Sequence, residues 1–286
     1  MRYAARYRQP MKFRPSPPLK LLRRLARSID ANGVRGAMVH SCQRLSRSLK
    51  SHGLRGTFSR AFIKAPIVPG VPRPEPAHPF DLQNGTDTGG YYSATDLQGK
   101  TLSSLYTTAY YGIAPSALSS ALANLKINYG EFTFADVGCG KGRAIMVAAQ
   151  FPFHYLWGVE ISPELCEIAQ ANLALRPEWA NRSSIIHEDA ATVTYPHGPL
   201  LILMFHPFLA PVLRRVLANL ETQLRKSPRT TYVLYASNPR YTVLEKFPFL
   251  QEISETTHPL SSEDAAVNRS GLTEERFTLY SAVLTS

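Results

Sequence analysis

The stretch from Phe132 to Glu160 constrains what this chain can fold into more than any other. Phe132 to Val137 is an apolar run of strand length, Gly138, Gly140 and Gly142 alternate through the turn that follows, and Ala144 to Gln150 reads as the first turns of a helix. Trp157 to Val159 reads as a second strand, and it ends on an acid, Glu160. Strand, glycine turn, helix and second strand closing on a carboxylate form a nucleotide-binding βαβ unit. Glycine lets the backbone turn sharply and approach a ligand where a Cβ would collide. The helix start beyond the turn offers N–H groups that have no partner inside the helix. Glu160 lies about 20 residues past the turn, where a carboxylate accepts hydrogen bonds from both ribose hydroxyls.

The spacing narrows the ligand. A dinucleotide fingerprint is Gly-x-Gly-x-x-Gly, and a phosphate loop is Gly-x-x-x-x-Gly-Lys-Ser/Thr. This chain has Gly-x-Gly-x-Gly, with Asp136 ahead of the first glycine and Lys141 after the second. An acid in that place sets like charge beside a pyrophosphate. It suits a ligand that carries an amino group and a sulfonium. The run resembles motif I of class I S-adenosylmethionine-dependent methyltransferases. The resemblance implies S-adenosylmethionine as cofactor, bound by Asp136, Gly138, Gly140 and Gly142, with Glu160 as the ribose acid.

Further segments extend the resemblance. Gly158 to Ala169, with Ser162 as N-cap and Pro163 at the first helical position, is similar to a bacterial branch often described as similar to the non-SET histone-lysine methyltransferases. Tyr110 to Ser116 resembles a segment that, in that branch, folds over the methionine end of the cofactor. Asp189, after the strand Ser184–His187, falls where family members set an acid or amide against the adenine amino group. Leu200 to Phe205 is a continuous apolar strand ending in His206-Pro207-Phe208, the position of motif IV beside the transferring methyl. Amino-directed members often carry Asn/Asp-Pro-Pro-aromatic there. His206 and the missing second proline depart from that pattern and weaken any assignment to DNA adenine methylation. His206 and Tyr111 are the candidates on the methyl-acceptor side. For each of these residues an ordinary structural role remains the alternative.

Charge divides the chain. Residues 1–64 hold 16 Lys and Arg against one acid, Asp30, whereas the rest holds 16 against 20, within a formal net charge of +11. The N-terminal part contains an echo, Ala26 to Gly36 and Ser46 to Gly56, each copy reading as a short helix closed by glycine. A basic tail of this kind contacts anionic membrane or nucleic acid, matches the composition of a transit peptide, or stays solvated. Pro66, Pro69, Pro72, Pro74, Pro76 and Pro79 mark a linker. The expected organisation is a basic tail over 1–64, a Pro/Gly-rich linker over 65–99 and a methyltransferase domain over 100–286. Three scattered cysteines fit a reducing compartment, hence the cytoplasm, and offer neither a disulfide framework nor a zinc site.

The expected fold is α/β: a Rossmann-like three-layer sandwich with a seven-stranded, mostly parallel sheet, plus the basic helical tail. Val212, Leu213, Val216, Leu217, Leu220 and Leu224 predict an inward face for a helix over Pro211–Arg225, Thr231 to Ala236 predicts the fifth strand, and Phe277 to Leu284 predicts the last. The expected reaction is methyl transfer from S-adenosylmethionine. By resemblance the favoured acceptor is a protein side-chain amine such as lysine, with a small molecule as the alternative. A cofactor-binding module without chemistry and a nicotinamide oxidoreductase keep the same βαβ unit and stay open here.

Overall fold

A computed structural model describes residues 77–94, 96–97, 103–236, 242–268 and 271–284. The chain divides into two units, Met1–Ile67 and Val68–Ser286, and every described residue lies in the second. The expectations for residues 1–64, the helical echo and the tail's partners, lie outside the described residues.

Among the described residues a seven-stranded sheet runs β3-β2-β1-β4-β5-β7-β6. Its strands are β1 (Thr133–Val137), β2 (Tyr155–Glu160), β3 (Ser183–His187), β4 (Leu200–Phe205), β5 (Thr231–Ala236), β6 (Leu250–Pro259) and β7 (Glu274–Ala282). The first five pair in parallel, and β7 turns antiparallel between β5 and β6. This is the expected architecture. The strand order reverses between β1 and β4, and ligands of open α/β sheets bind in the crevice beyond the carboxyl ends at such a point.

The helices follow their sequence signals. The helix α1 (Pro79–Asn84) starts at His78, whose ring nitrogen accepts from the Phe80 N–H, and ends at Gly85 in the left-handed conformation. Pro115 opens α2 (Pro115–Ala123), which buries Leu118 and Leu122. The glycine turn leads into α3 (Arg143–Ala148). Ser162 caps α4 (Pro163–Ala174) by accepting from the Leu165 N–H. A short α5 (Pro177–Ala180) precedes β3. The expected helix after β4 is α6 (Ala210–Lys226), and all six predicted inward residues are buried. Each such side chain contributes about 1.5–3 kcal/mol when fully buried. A last helix, α7 (Ser262–Val267), joins β6 to β7.

Two cores flank the sheet. Phe134, Ile145, Leu201, Leu203 and Phe277 belong to one, and Val137, Trp157, Ile202, Leu217 and Tyr280 to the other. Alternate residues of β1 and β4 face opposite layers, which is why Leu200 to Met204 had to be apolar throughout.

Three details differ from the sequence reading. The segment His78 to Tyr92, read as linker and loop, contains α1 and packs with Phe80, Asp81 and Thr88 buried. Leu244 to Phe249, a stretch whose residues suggest a short helix, holds a single 3-10 turn, Leu244–Lys246. Strand β6 carries exposed residues from Gln251 to Thr257 on both faces, so it has no apolar alternation to reveal it.

Candidate functional site

The site grows from the turn between β1 and α3. Gly138, Gly140 and Gly142 all have positive φ, 83°, 53° and 84°. Space also demands glycine at two of them. A Cβ on Gly138 would lie 2.6 Å from Pro207, and one on Gly140 would lie 2.2 Å from the Tyr110 ring. The turn therefore runs beneath two other segments, one after β4 and one before α2.

Two acids stand at the carboxyl ends of β1 and β2. Glu160 is buried, and its carboxylate spans the turn: Oε2 accepts from Gly140 N–H, while Oε1 accepts from the N–H groups of Ile161 and Ser162, each at 2.9 Å. Burial nevertheless raises its pKa. Asp136 is 4% exposed, and its carboxylate accepts no hydrogen bond from any described residue. Burial, reinforced by the Glu160 charge, pushes its carboxyl up to about 8. Both acids line one cleft with Gly138, Tyr111, Phe205 and Asp189.

The base of the turn holds two cations that sequence reasoning did not place. Lys141 is 3% exposed; its Nζ donates to Asp87 Oδ1 at 2.8 Å and to the Gly89 carbonyl at 2.9 Å. Arg143 is equally enclosed, and its guanidinium donates to Thr88 Oγ1, the Thr88 carbonyl and the Ile113 carbonyl. Asp81 accepts from the Thr88 N–H and hydroxyl and from Thr86, and lies 3.8 Å from Arg143. Asn172 on α4 exchanges two hydrogen bonds with the Asp87 backbone. The Tyr110 hydroxyl donates to the Thr88 carbonyl. These contacts strap residues 86–92 across the glycine turn. Two buried cations inside a glycine motif were the available signal: each needs acceptors, and Asp81, Asp87 and Thr88 supply them.

The remaining predicted residues are distributed as follows. Asp189 lines the cleft, but its oxygens are occupied, Oδ2 by Ser103 Oγ at 2.6 Å and Oδ1 by the Ala191 N–H at 2.9 Å. Tyr111 lines the cleft, is 45% exposed, and meets Phe205 edge-on with ring centroids 5.2 Å apart. His206 sits just past β4 with φ of 44°, a left-handed conformation strained for a residue that precedes proline. Its Nδ1 lies 3.2 Å from the Tyr235 hydroxyl, and burial lowers its pKa. Phe205, Pro207 and Phe208 line the cleft, whereas the His206 ring is turned to β5. Among the described residues no group of three His, Cys, Asp or Glu is arranged to hold a metal.

A crevice at the switch point, a tight glycine turn and two buried carboxylates thus meet at the carboxyl ends of β1 and β2. Residues 134–227 match the family model described as a methyltransferase domain. Over that span the chain carries a methyltransferase domain; it is an enzyme, and its cofactor is S-adenosylmethionine. The residues present fit that cofactor, since Asp136 offers an unpaired buried carboxylate to a positive group and Glu160 Oε2 keeps a free lone pair.

No curated protein matches the chain in sequence. Among solved structures it is similar to an uncharacterized protein of Listeria monocytogenes serotype 4b, at 11% identity and TM-score 0.42 over 60% of this chain and 67% of that one. A protein in the NADB-Rossmann superfamily from Streptococcus agalactiae gives 12% identity and TM-score 0.44 over 60% and 70%. Magnesium protoporphyrin IX methyltransferase from Synechocystis PCC 6803, crystallised with bound S-adenosylmethionine, gives 16% identity and TM-score 0.38 over 58% and 76%. The fold assignment rests on the strand order, not on these distant likenesses. Among the described residues no helix is long and apolar enough to cross a membrane.

Proposed function

We propose that Asp136, Gly138, Gly140, Gly142 and Glu160 hold S-adenosylmethionine, and that a methyl group passes to a nucleophile arriving beside Tyr111 and Phe205. The observation that carries the reading is the Asp136 carboxylate: buried, unpaired and on the cleft. It favours a cation and disfavours a pyrophosphate, which argues against the nicotinamide alternative. Asp189, already held by Ser103 and Ala191, keeps lone pairs for the adenine amino group. The acceptor in this reading is a side-chain amine of a protein, as the resemblance of Tyr110–Ser116 and Gly158–Ala169 to the bacterial branch suggests. An aromatic pair at the cleft suits an amine or its cation.

Transfer asks the protein for alignment and a dry cleft more than for acid–base chemistry. His206 acts on the acceptor side through the geometry of the His206-Pro207-Phe208 turn. Residues 1–64 supply a basic tether for anionic membrane or nucleic acid, and the domain works in the cytoplasm. Calorimetry tests the core of the reading. S-adenosylmethionine should bind in the micromolar range, and NAD and ATP should not bind comparably; preferential NAD binding would reject it.

A further inference from the structure

Glu275 is a buried acid that nothing above employs. It lies on β7, is 5% exposed, and accepts no hydrogen bond from a described residue. Its register explains where it stands. Phe205 at the end of β4 pairs with Ala236 at the end of β5, and Ala236 pairs with Phe277 on β7. These three side chains therefore share one face of the sheet, the face on which Phe277 is buried and Phe205 packs. Because β7 runs antiparallel, Glu275 lies two residues beyond Phe277 toward the carboxyl edge, on that same face. Tyr111 packs on Phe205 there, and the Glu275 charge is felt by the Tyr111 phenol, raising its pKa after the larger effect of burial. Tyr111 and Phe205 line the cleft, and Glu275 lies behind them on the same face, at the carboxyl edge of the sheet.

We propose that Glu275 is the acceptor-side acid, receiving the cationic nitrogen of the methyl acceptor beside Tyr111 and Phe205. A buried carboxylate with no partner is costly unless a cation arrives, and aromatic faces complete a site for an alkylammonium. Burial pushes the Glu275 carboxyl up to about 7, which narrows its gap from an alkylammonium, about 10.4 in water, so the carboxylate pairs with the arriving cation and takes its proton as the amine reacts. The proton passes from nitrogen to a Glu275 oxygen. The freed lone pair forms the new N–C bond as the S–C bond breaks, with sulfur keeping the electron pair. Glu275 then releases its proton to water. His258, opposite Glu275 on β6, is held by Ser120 and Thr256 and does not compete for it.

The proposal rests on the amine-acceptor reading, and its test separates the two. The probes are S-adenosylhomocysteine and Nα-acetyl-lysine amide, titrated by calorimetry into the full chain and its Glu275→Gln variant. Both proteins should bind S-adenosylhomocysteine alike and melt within a few degrees of each other. Affinity for the lysine probe should fall at least tenfold in the variant. Equal affinity for the probe in the two proteins would overturn the role of Glu275. A wild-type chain that binds S-adenosylhomocysteine but no lysine probe would overturn both Glu275 and the amine acceptor, leaving the methyltransferase. A chain that binds no S-adenosylhomocysteine would overturn the cofactor assignment instead, and the lysine titration would still decide on Glu275.

Discussion

Glu160 Oε2 accepts a hydrogen bond of 2.9 Å from the Gly140 N–H, and so ties the end of β2 to the middle of the glycine turn. The same carboxylate that is proposed to hold the ribose also sets the shape of the turn beneath it. Glu160→Ala removes both. Hydrogen bonds to a charged group are worth about 1.5–3 kcal/mol, so affinity for S-adenosylhomocysteine is expected to fall at least about tenfold. An unchanged dissociation constant by calorimetry would remove Glu160 from the site.

Asp136 predicts a pH dependence. In the unfolded chain its carboxyl titrates near the ordinary value of 3.8, and in the empty folded domain near 8. Between these values the folded state keeps a proton that the unfolded state has lost, so this residue's contribution to stability falls as pH rises from about 4 to about 8. Asp136→Asn should raise Tm at pH 8 and change it little at pH 4. A cationic ligand reverses the preference, so binding near pH 7 should release protons. Calorimetry in buffers of different ionisation heat measures that release, and no release would show Asp136 ionised before binding.

The glycine turn and its cover leave no room for a methyl group. Gly140→Ala would set a Cβ against the Tyr110 ring at a positive φ. Backbone strain of this kind costs about 1–3 kcal/mol. The variant should lose stability by at least that much and lose cofactor binding as Tyr110 is displaced. A normal melt with normal affinity would show that Tyr110 moves aside freely.

The glycines, both acids, the strands from β1 to β5 and the inward face of α6 were legible in the sequence, because each is a local pattern: spacing, period or an apolar run. The strap was not. Asp87, Thr88, Gly89 and Gly90 have the composition of a solvated loop, and only Lys141 and Arg143, more than fifty residues later in the chain, give them partners. The orientation of His206 was hidden for another reason. A period argument places a side chain on a strand end, but a positive φ swings it off the line the strand would set.

His206→Ala is expected to leave cofactor affinity within about twofold and to slow methyl transfer by disturbing the His206-Pro207-Phe208 turn, whose left-handed first residue alanine holds at a cost of about 1–3 kcal/mol. His206→Asn, a residue tolerant of the left-handed conformation, should keep the turn and separate loss of imidazole from loss of backbone geometry. Normal turnover in the alanine variant would reject a catalytic role.

Two truncations test the domain boundary. Removing residues 1–76 should preserve the cooperative melt and cofactor binding, and should abolish any salt-sensitive binding to anionic vesicles. Removing residues 1–92 deletes Asp81, Asp87 and Thr88 and strands Lys141 and Arg143, at a cost of about 3–5 kcal/mol for each buried charge left unpaired. Equal Tm values for the two truncations would show that the strap contributes nothing.

The strap also orders events in time. Its anchors are remote in the chain: Asp87 waits for Lys141, 54 residues on, and for Asn172, 85 residues on. During synthesis from the amino end, residues 86–92 emerge well before any group that can hold them. Such closure carries loop entropy, and the strap's few side-chain hydrogen bonds offset less of it than the hydrogen-bonded ladder of β1 and β4 does. The roof over the glycine turn is accordingly among the last parts of the domain to set and among the first to loosen, and amide exchange at Asp87 and Thr88 should run ahead of exchange in β1 and β4.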